Sequence, residues 1–308
     1  VLTALWTGLG GRLAERWDSS AVMFWTGGVL AWVWGHGGLS GPGSGWQAFG
    51  SAWEQEFGGL PVAAQVVIAV LALLIVAGSR RLAEALTPGV LRLLEGYWPA
   101  WASPVRAMLI GVRGRGIGRR ADRWRALARR RAELSAAERA EYAALNAWRA
   151  TVPPAPPDRM PTGLGDLLRA VESRPRHRYG LDAVVCWPRL WLVLPEEVRA
   201  EVAAARARLD ANARLWLWSL LFGVWTVFTW WALAAALVGT AVGYRLALSA
   251  AAQYGQLVQA CFDLHRGGLY EALGRELPSD PRREYEAGRE LTARLERGRT
   301  PPAPGEPA

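Results

Sequence analysis

Leu215-Trp-Leu-Trp-Ser-Leu-Leu-Phe-Gly-Val-Trp-Thr-Val-Phe-Thr-Trp-Trp-Ala-Leu-Ala-Ala-Ala-Leu-Val-Gly-Thr-Ala-Val-Gly-Tyr244 carries no charge over 30 residues and is bracketed by Arg214 and Arg245. A run of more than about 18 apolar residues reads as membrane-spanning. As one helix this run would extend roughly 45 Å, against a hydrocarbon core of about 30 Å. Tilt absorbs part of that excess, so a single tilted span stays open. The alternative is a tight hairpin of two spans turning near residues 225–231. There Trp225, Phe228, Trp230 and Trp231 surround Thr226 and Thr229, and such aromatics collect at the membrane–water interface. Arg214 and Arg245 each mark an inner end, and two inner ends require two spans between them. That favours the hairpin.

The remaining composition agrees with a membrane chain. Half of the 308 residues are hydrophobic (51%), and 18 are Trp. Soluble proteins seldom combine so much Trp with uncharged runs of this length. All 36 basic residues are Arg, which with the heavy use of Ala, Gly and Pro marks a GC-rich coding sequence. The net charge of +9 points to anionic lipid or to nucleic acid. In a chain with spans, positive charge marks the cytoplasmic side, so lipid headgroups are the expected partner and nucleic acid is disfavoured. Cys186 and Cys261 lie far apart in segments assigned to the cytoplasm, where a disulfide is not expected.

Residues 1–19 form a short amphipathic lead-in carrying Arg12, Glu15, Arg16 and Asp18. Ser20–Trp34 is the first apolar run. It follows basic residues as a signal peptide does, but no small-residue cleavage site comes after it, so an uncleaved span is expected. Residues 35–59 hold no Arg, and Leu60–Gly78 is the cleanest apolar run, followed at once by Arg80 and Arg81. Arg-rich flanks around an Arg-free loop orient this pair as inside–out–inside.

Residues 79–213 contain 24 Arg against 14 acids. Residues 82–111 read as an amphipathic segment broken by Pro88, Pro99 and Pro104, with Tyr97, Trp98 and Trp101 placed for the headgroup region. Residues 118–150 read as two helices, the second opening at Ser135 with Glu138 three residues on, a capping box. Residues 152–157 are a stiff Pro-rich linker. The apolar piece at 179–195 is too short and Pro-punctuated to span, and reads as interfacial, re-entrant or soluble. Glu196–Ala213 is a helix running into the third span, and a helix continues after Arg245 to about Arg266. The Pro-rich end after residue 299 is expected to be disordered.

Four phrases carry a resemblance: Leu94-Glu-Gly-Tyr-Trp-Pro99, Met160-Pro-Thr-Gly-Leu-Gly-Asp-Leu-Leu-Arg-Ala-Val-Glu172, Tyr179-Gly-Leu-Asp-Ala-Val-Val-Cys-Trp-Pro-Arg-Leu-Trp191 and Phe262-Asp-Leu-His-Arg-Gly-Gly-Leu-Tyr-Glu-Ala-Leu273. Over roughly residues 80–275 the chain resembles a set of uncharacterised multi-span membrane proteins of GC-rich bacteria, from whose pattern Gly163, Asp166 and Gly267-Gly268 depart. The resemblance implies a membrane location and the hairpin, and brings no activity.

The fold expected is therefore an all-α integral membrane protein with four transmembrane helices in two hairpins. The first hairpin covers 20–78 and the second 214–252. An Arg-rich helical cytoplasmic domain (79–213) lies between them, and a cytoplasmic helix and tail (253–308) follows. Ala235, Gly239, Gly243, Ala247, Ala251 and Gly255 recur every four residues and form a groove for close helix approach. Its occupant is either another span of the same chain or, in a homo-oligomer, a second copy. Arg119, Arg120, Arg123, Arg125, Arg129, Arg130 and Arg131 form the basic face expected to meet anionic headgroups. Asp182 and Arg189 flank the Ala-Val-Val-Cys-Trp segment as a candidate structural ion pair.

His36, His177 and His265 do not sit at metal-ligand spacing, although His265 is within reach of Asp263 or Glu271. No phosphate loop, zinc-protease or nucleophile-elbow motif is present, and Gly111–Gly118 is a basic turn rather than a phosphate loop. No cofactor, metal or catalytic residue is expected. The function expected is a non-catalytic membrane component, a scaffold with a basic cytoplasmic platform. The alternatives are an oligomeric pore or membrane effector, or, behind these, a membrane enzyme with a site in 160–195.

Overall fold

The computed structural model describes residues 19–40 and 43–297. The lead-in at 1–18, Pro42 and the Pro-rich end lie outside the described residues. The described residues are all-α, with no strand among them. Two helices, starting at Val62 and at Trp231, are long and apolar enough to cross a membrane. The chain divides into two compact units: residues up to Leu91 with Asp210–Leu246, and Arg92–Leu209 with the residues from Ala247 onward.

The first unit begins with α1 (Ser19–Gly35), a shorter apolar helix. The Arg-free loop is largely helical, with α2 (Gly45–Trp53) running into a wide helical turn at Glu54–Gly58. Then comes α3 (Val62–Glu95). Phe24 of α1 packs 5.0 Å from Trp218 and 5.4 Å from Trp225, ring centre to ring centre. Trp25 donates from Nε1 to Ser79 Oγ at 3.1 Å, tying α1 to α3.

The face of α3 from Val62 to Ile75 is different. Val62, Val66, Val67, Leu71, Leu73, Leu74 and Ile75 are all more than half exposed, on every side of the helix.

The uncharged run from Leu215 is two helices. Helix α8 (Glu196–Leu221) ends inside it, a 3-10 segment (Phe222–Val227) follows, and α9 (Trp231–Ala272) begins. The arms are antiparallel. Asn212 donates to the Leu246 carbonyl at 3.3 Å, and a Cβ on Gly239 would stand 2.9 Å from Ser219 Cβ. The apolar arms, 215–227 and 231–244, each reach about 21–23 Å at helical rise.

Two expectations about helix breaks are corrected. Pro88 does not end a helix. It lies within α3, flanked by the buried Thr87, Val90 and Leu91, whose packing outweighs the single backbone hydrogen bond a proline removes. The break falls instead at Gly96, whose φ of +98° an L side chain rarely adopts and whose Cβ would collide with Pro161. Pro104 sits in the first turn of α4 (Ser103–Arg129), where a missing N–H costs nothing. Residues 103–129 are thus one helix.

In the second unit α5 (Ala136–Arg149) opens on the capping box: Ser135 Oγ accepts from Glu138 N, and Glu138 accepts from Ser135 N. Helices α6 (Gly163–Tyr179) and α7 (Ala183–Val193) follow; Cys186 and Leu190 bury one face of α7, while Val184 and Leu192 stay exposed. Both cysteines are free and buried. A further helix, α10 (Pro281–Arg297), was not expected. Asp280 starts it by accepting from Arg282 N, and Leu291 is buried beneath it. Its apolar stripe is only a few residues wide among charges, so its sequence reads as tail.

Candidate functional site: an arginine-lined cleft

Helices α4 and α5 form a basic antiparallel pair. Arg123 reaches Glu141 with two contacts, 2.8 and 2.6 Å, and Arg130 reaches Glu138 at 3.1 Å. Trp124 donates to Asn146 Oδ1 at 2.7 Å and stacks on Tyr142. The hydrogen bond from Arg123 holds the exposed Glu141 carboxyl below its ordinary value. Of the seven arginines expected to face lipid, Arg125 pairs with Asp122, and Arg120 lies 5.6 Å over the Trp148 ring. Arg119, Arg129 and Arg131 are exposed and form no ion pair among the described residues.

Beside this pair lies a cleft of about 890 Å³ between α4, the segment after α5, and α6. Trp124, Trp148, Pro153 and Pro154 supply apolar wall; Arg125, Arg149, Arg159, Arg174, Arg178 and His177 supply the polar lining. No carboxylate lines it among the described residues. Arg149 rests 3.6 Å over the Trp124 ring. Arg174 donates to Gln259 Oε1 at 2.8 Å and to the Arg149 carbonyl at 3.1 Å, both neutral acceptors. Burial first, and the Arg149 charge second, hold the Arg174 guanidinium below its ordinary value. Arg159 Nε is buried without an acceptor.

Two ionic nodes fix the helices around the cleft. Asp166, 1% exposed, accepts from Arg113 at 2.5 Å and from Met160 N at 2.8 Å, closing the turn into α6. At the other end of α6, Tyr179 donates to Asp263 at 2.5 Å, and Arg178 pairs with the same carboxylate at 3.0 Å. Arg266 lies over the Tyr179 ring and pairs with Glu284 of α10 at 2.6 Å. Burial, then the Asp263 hydrogen bond, push the Tyr179 phenol up to about 12. Asp263 therefore has its own partners, and His265 is not brought to it as a ligand pair. No group of His, Cys and acids able to hold a metal occurs among the described residues.

A smaller cavity of about 170 Å³ holds Glu95 and Glu172, and burial followed by the Glu172 charge raises the Glu95 carboxyl.

The other sequence-selected residues separate. Asp182 and Arg189 have different partners: Asp182 caps α7 by accepting from Val184 N at 2.9 Å, and Arg189 donates to the Val185 carbonyl at 2.6 Å. A carboxylate one residue before a helix meets free N–H groups first, and these take Asp182.

Within the small-residue stripe, Gly239 and Gly243 face Ser219 and Trp216 of the same chain, and Gly255 faces Val171. Ala247 and Ala251 are fully buried. Ala235 is exposed, while Ala232 and Ala236 are buried in its place. A strict four-residue spacing drifts about 40° per step on a helix of 3.6 residues per turn, and Ala235 has drifted off the face.

Sequence reading missed the cleft because its arginines come from positions as far apart as 125 and 178. Only the lack of acids at 145–157 hinted at it. The chain matches no family model, no curated protein and no solved structure.

Proposed function

We propose that the chain is a four-span, non-catalytic membrane protein with both termini in the cytoplasm, serving as a scaffold whose basic helical platform meets anionic lipid headgroups. The observation that carries this reading is the apolar surface of α3 between Val62 and Ile75, exposed all round. In water, each such side chain left uncovered forgoes about 1.5–3 kcal/mol. A helix apolar on every side belongs in a protein core or a bilayer, and this one has no core around it.

Helix α1 pairs with α3, and the 215–244 hairpin adds the other two spans. Its arms fall some angstroms short of a 30 Å core. Snorkelling of Arg214 and Arg245 and the aromatic tip make up the difference. A homo-oligomeric pore is the second reading, but its expected contact face at Gly239 and Gly243 meets Ser219 and Trp216 of its own chain, which supports the scaffold instead.

Cysteine labelling tests the topology. In a background with Cys186 and Cys261 replaced, Ser51→Cys and Val227→Cys should both react with an impermeant reagent on intact cells. Ser51 is exposed, whereas Ser44 is buried, and Val227 at the hairpin tip is 82% exposed. Labelling of Ser51→Cys alone would reduce the second hairpin to a re-entrant loop; labelling of neither would end the four-span reading.

A further inference from the structure

We infer that the arginine-lined cleft is a binding site for a multiply charged phosphate group, offered free in solution or on a lipid headgroup. The chain neutralises arginines outside the cleft with carboxylates: Arg169 has Asp158, Arg266 has Glu284, and Arg123 is held by Glu141 from two nitrogens. Of the cleft's own arginines, Arg125 and Arg178 are paired as well, with Asp122 and Asp263, and three are not. Arg149, Arg159 and Arg174 have no carboxylate among the described residues, although they converge from the end of α5, the following loop and the middle of α6. What they do contact is neutral: an indole face, a glutamine oxygen and a backbone carbonyl. These contacts orient the guanidinium groups and leave their charges unmatched.

Like charges gathered in a partly buried site repel one another, so an anion placed among them gains from all of them at once. The Nε of Arg159 is buried without an acceptor, which is costly. Arginine forks match phosphate oxygens in pairs, and three forks exceed what one carboxylate can accept. The volume, about 890 Å³, falls within the range of small-molecule sites. Pro153 and Pro154 stiffen the rim, so little ordering is required on binding. The inference goes beyond the proposed function and rests on it only in treating residues 92–209 as outside the bilayer.

The test uses the full chain in neutral detergent, so that a failed topology would leave the binding result intact, and the reverse. Pyrophosphate is titrated calorimetrically in one arm. In the other, mixed micelles carrying a lipid phosphate monoester are compared with micelles carrying phosphatidylcholine. Saturable one-to-one binding of pyrophosphate supports a free anion; binding of the lipid phosphate alone supports the headgroup as its source. In either arm Arg149→Gln and Arg174→Gln should weaken binding about tenfold or more, the loss of one charge-assisted hydrogen bond. Arg283→Gln, exposed on α10 and outside both the cleft and the basic face, should change it less than about twofold. Arg159→Gln serves as the second cleft variant where either of the first two is unfolded by circular dichroism. Absence of binding in both arms for the unaltered protein overturns the inference. So does equal weakening by Arg283→Gln, which would show diffuse attraction rather than a site.

Discussion

A Cβ built on Gly243 would stand 3.0 Å from both the backbone nitrogen and the Cα of Trp216, so the two arms of the 215–244 hairpin meet backbone to backbone. Nothing flexible at Trp216 can yield, because the atoms in the way belong to the main chain of α8. Gly243→Leu must therefore push the arms apart. Overpacking of this kind costs about 1–3 kcal/mol, and occasionally more. Gly239→Leu should behave similarly but more mildly, since its nearest neighbour is the small Ser219 side chain. Leu237, 63% exposed, should tolerate replacement by Ala with little change. Thermal unfolding in detergent reads the stability, and light scattering reads the assembled mass. A fall in mass ahead of the fall in stability would move this contact from within one chain to between copies.

Asp166 and Arg113 form the second test. Arg113→Ala leaves the Asp166 carboxylate buried with only Met160 N for company. Removing one partner of a buried pair typically costs about 3–5 kcal/mol. Asp166→Asn keeps an acceptor for Met160 N and should cost less. Because both residues act through one contact, the double variant should be less destabilised than the sum of the singles. Additive losses in denaturant unfolding would show that the pair is not energetically coupled.

Alkaline stability gives a third. The Tyr179 phenol is raised from 10.0 to about 12, chiefly by burial. A raised folded pKa means that the folded chain holds its proton more tightly than the unfolded chain. This contribution is whole below about pH 10 and is lost as pH rises through about 12. Tyr270 is raised to about 12 by burial as well, and so titrates in the same window. Tyr179→Phe should flatten part of the loss above pH 10, while costing about 1 kcal/mol at neutral pH through the missing hydrogen bond to Asp263. An unchanged alkaline slope in Tyr179→Phe would assign the whole effect to other groups.

The amide protection of α10 provides a fourth. Thr292 receives the Asp182 N–H at 3.1 Å, and Leu291 is buried, so α10 is part of the packed second unit. Leu291→Ala should destabilise this region by about 2–5 kcal/mol. Hydrogen exchange should then rise in residues 281–297 together with residues 179–186. A rise confined to α10 would mean that the helix docks without supporting α7.

Local and one-dimensional features of this protein were legible in its sequence. The capping box at Ser135 and Glu138 acts within one turn, so three residues suffice to place a helix start. The division of the 215–244 run was favoured by Arg214 and Arg245 at its two ends, whereas its length of 30 uncharged residues left a single tilted helix open. An all-α fold follows from the same apolar and amphipathic runs.

Tertiary packing decided the rest, because the competing energies there come from neighbours distant in the chain. Pro88 stays helical since burial at Thr87, Val90 and Leu91 outweighs one lost hydrogen bond. Asp182 became a cap rather than the partner of Arg189, because free N–H groups stood closer than the guanidinium. Helix α10 exists through a narrow stripe that packs on α6 and α7, with Arg266 of α9 paired to its Glu284. The arginine cleft is the clearest case. Arg149, Arg159 and Arg174 look like ordinary solvated charges in sequence, and only folding brings them to one wall without an acid between them.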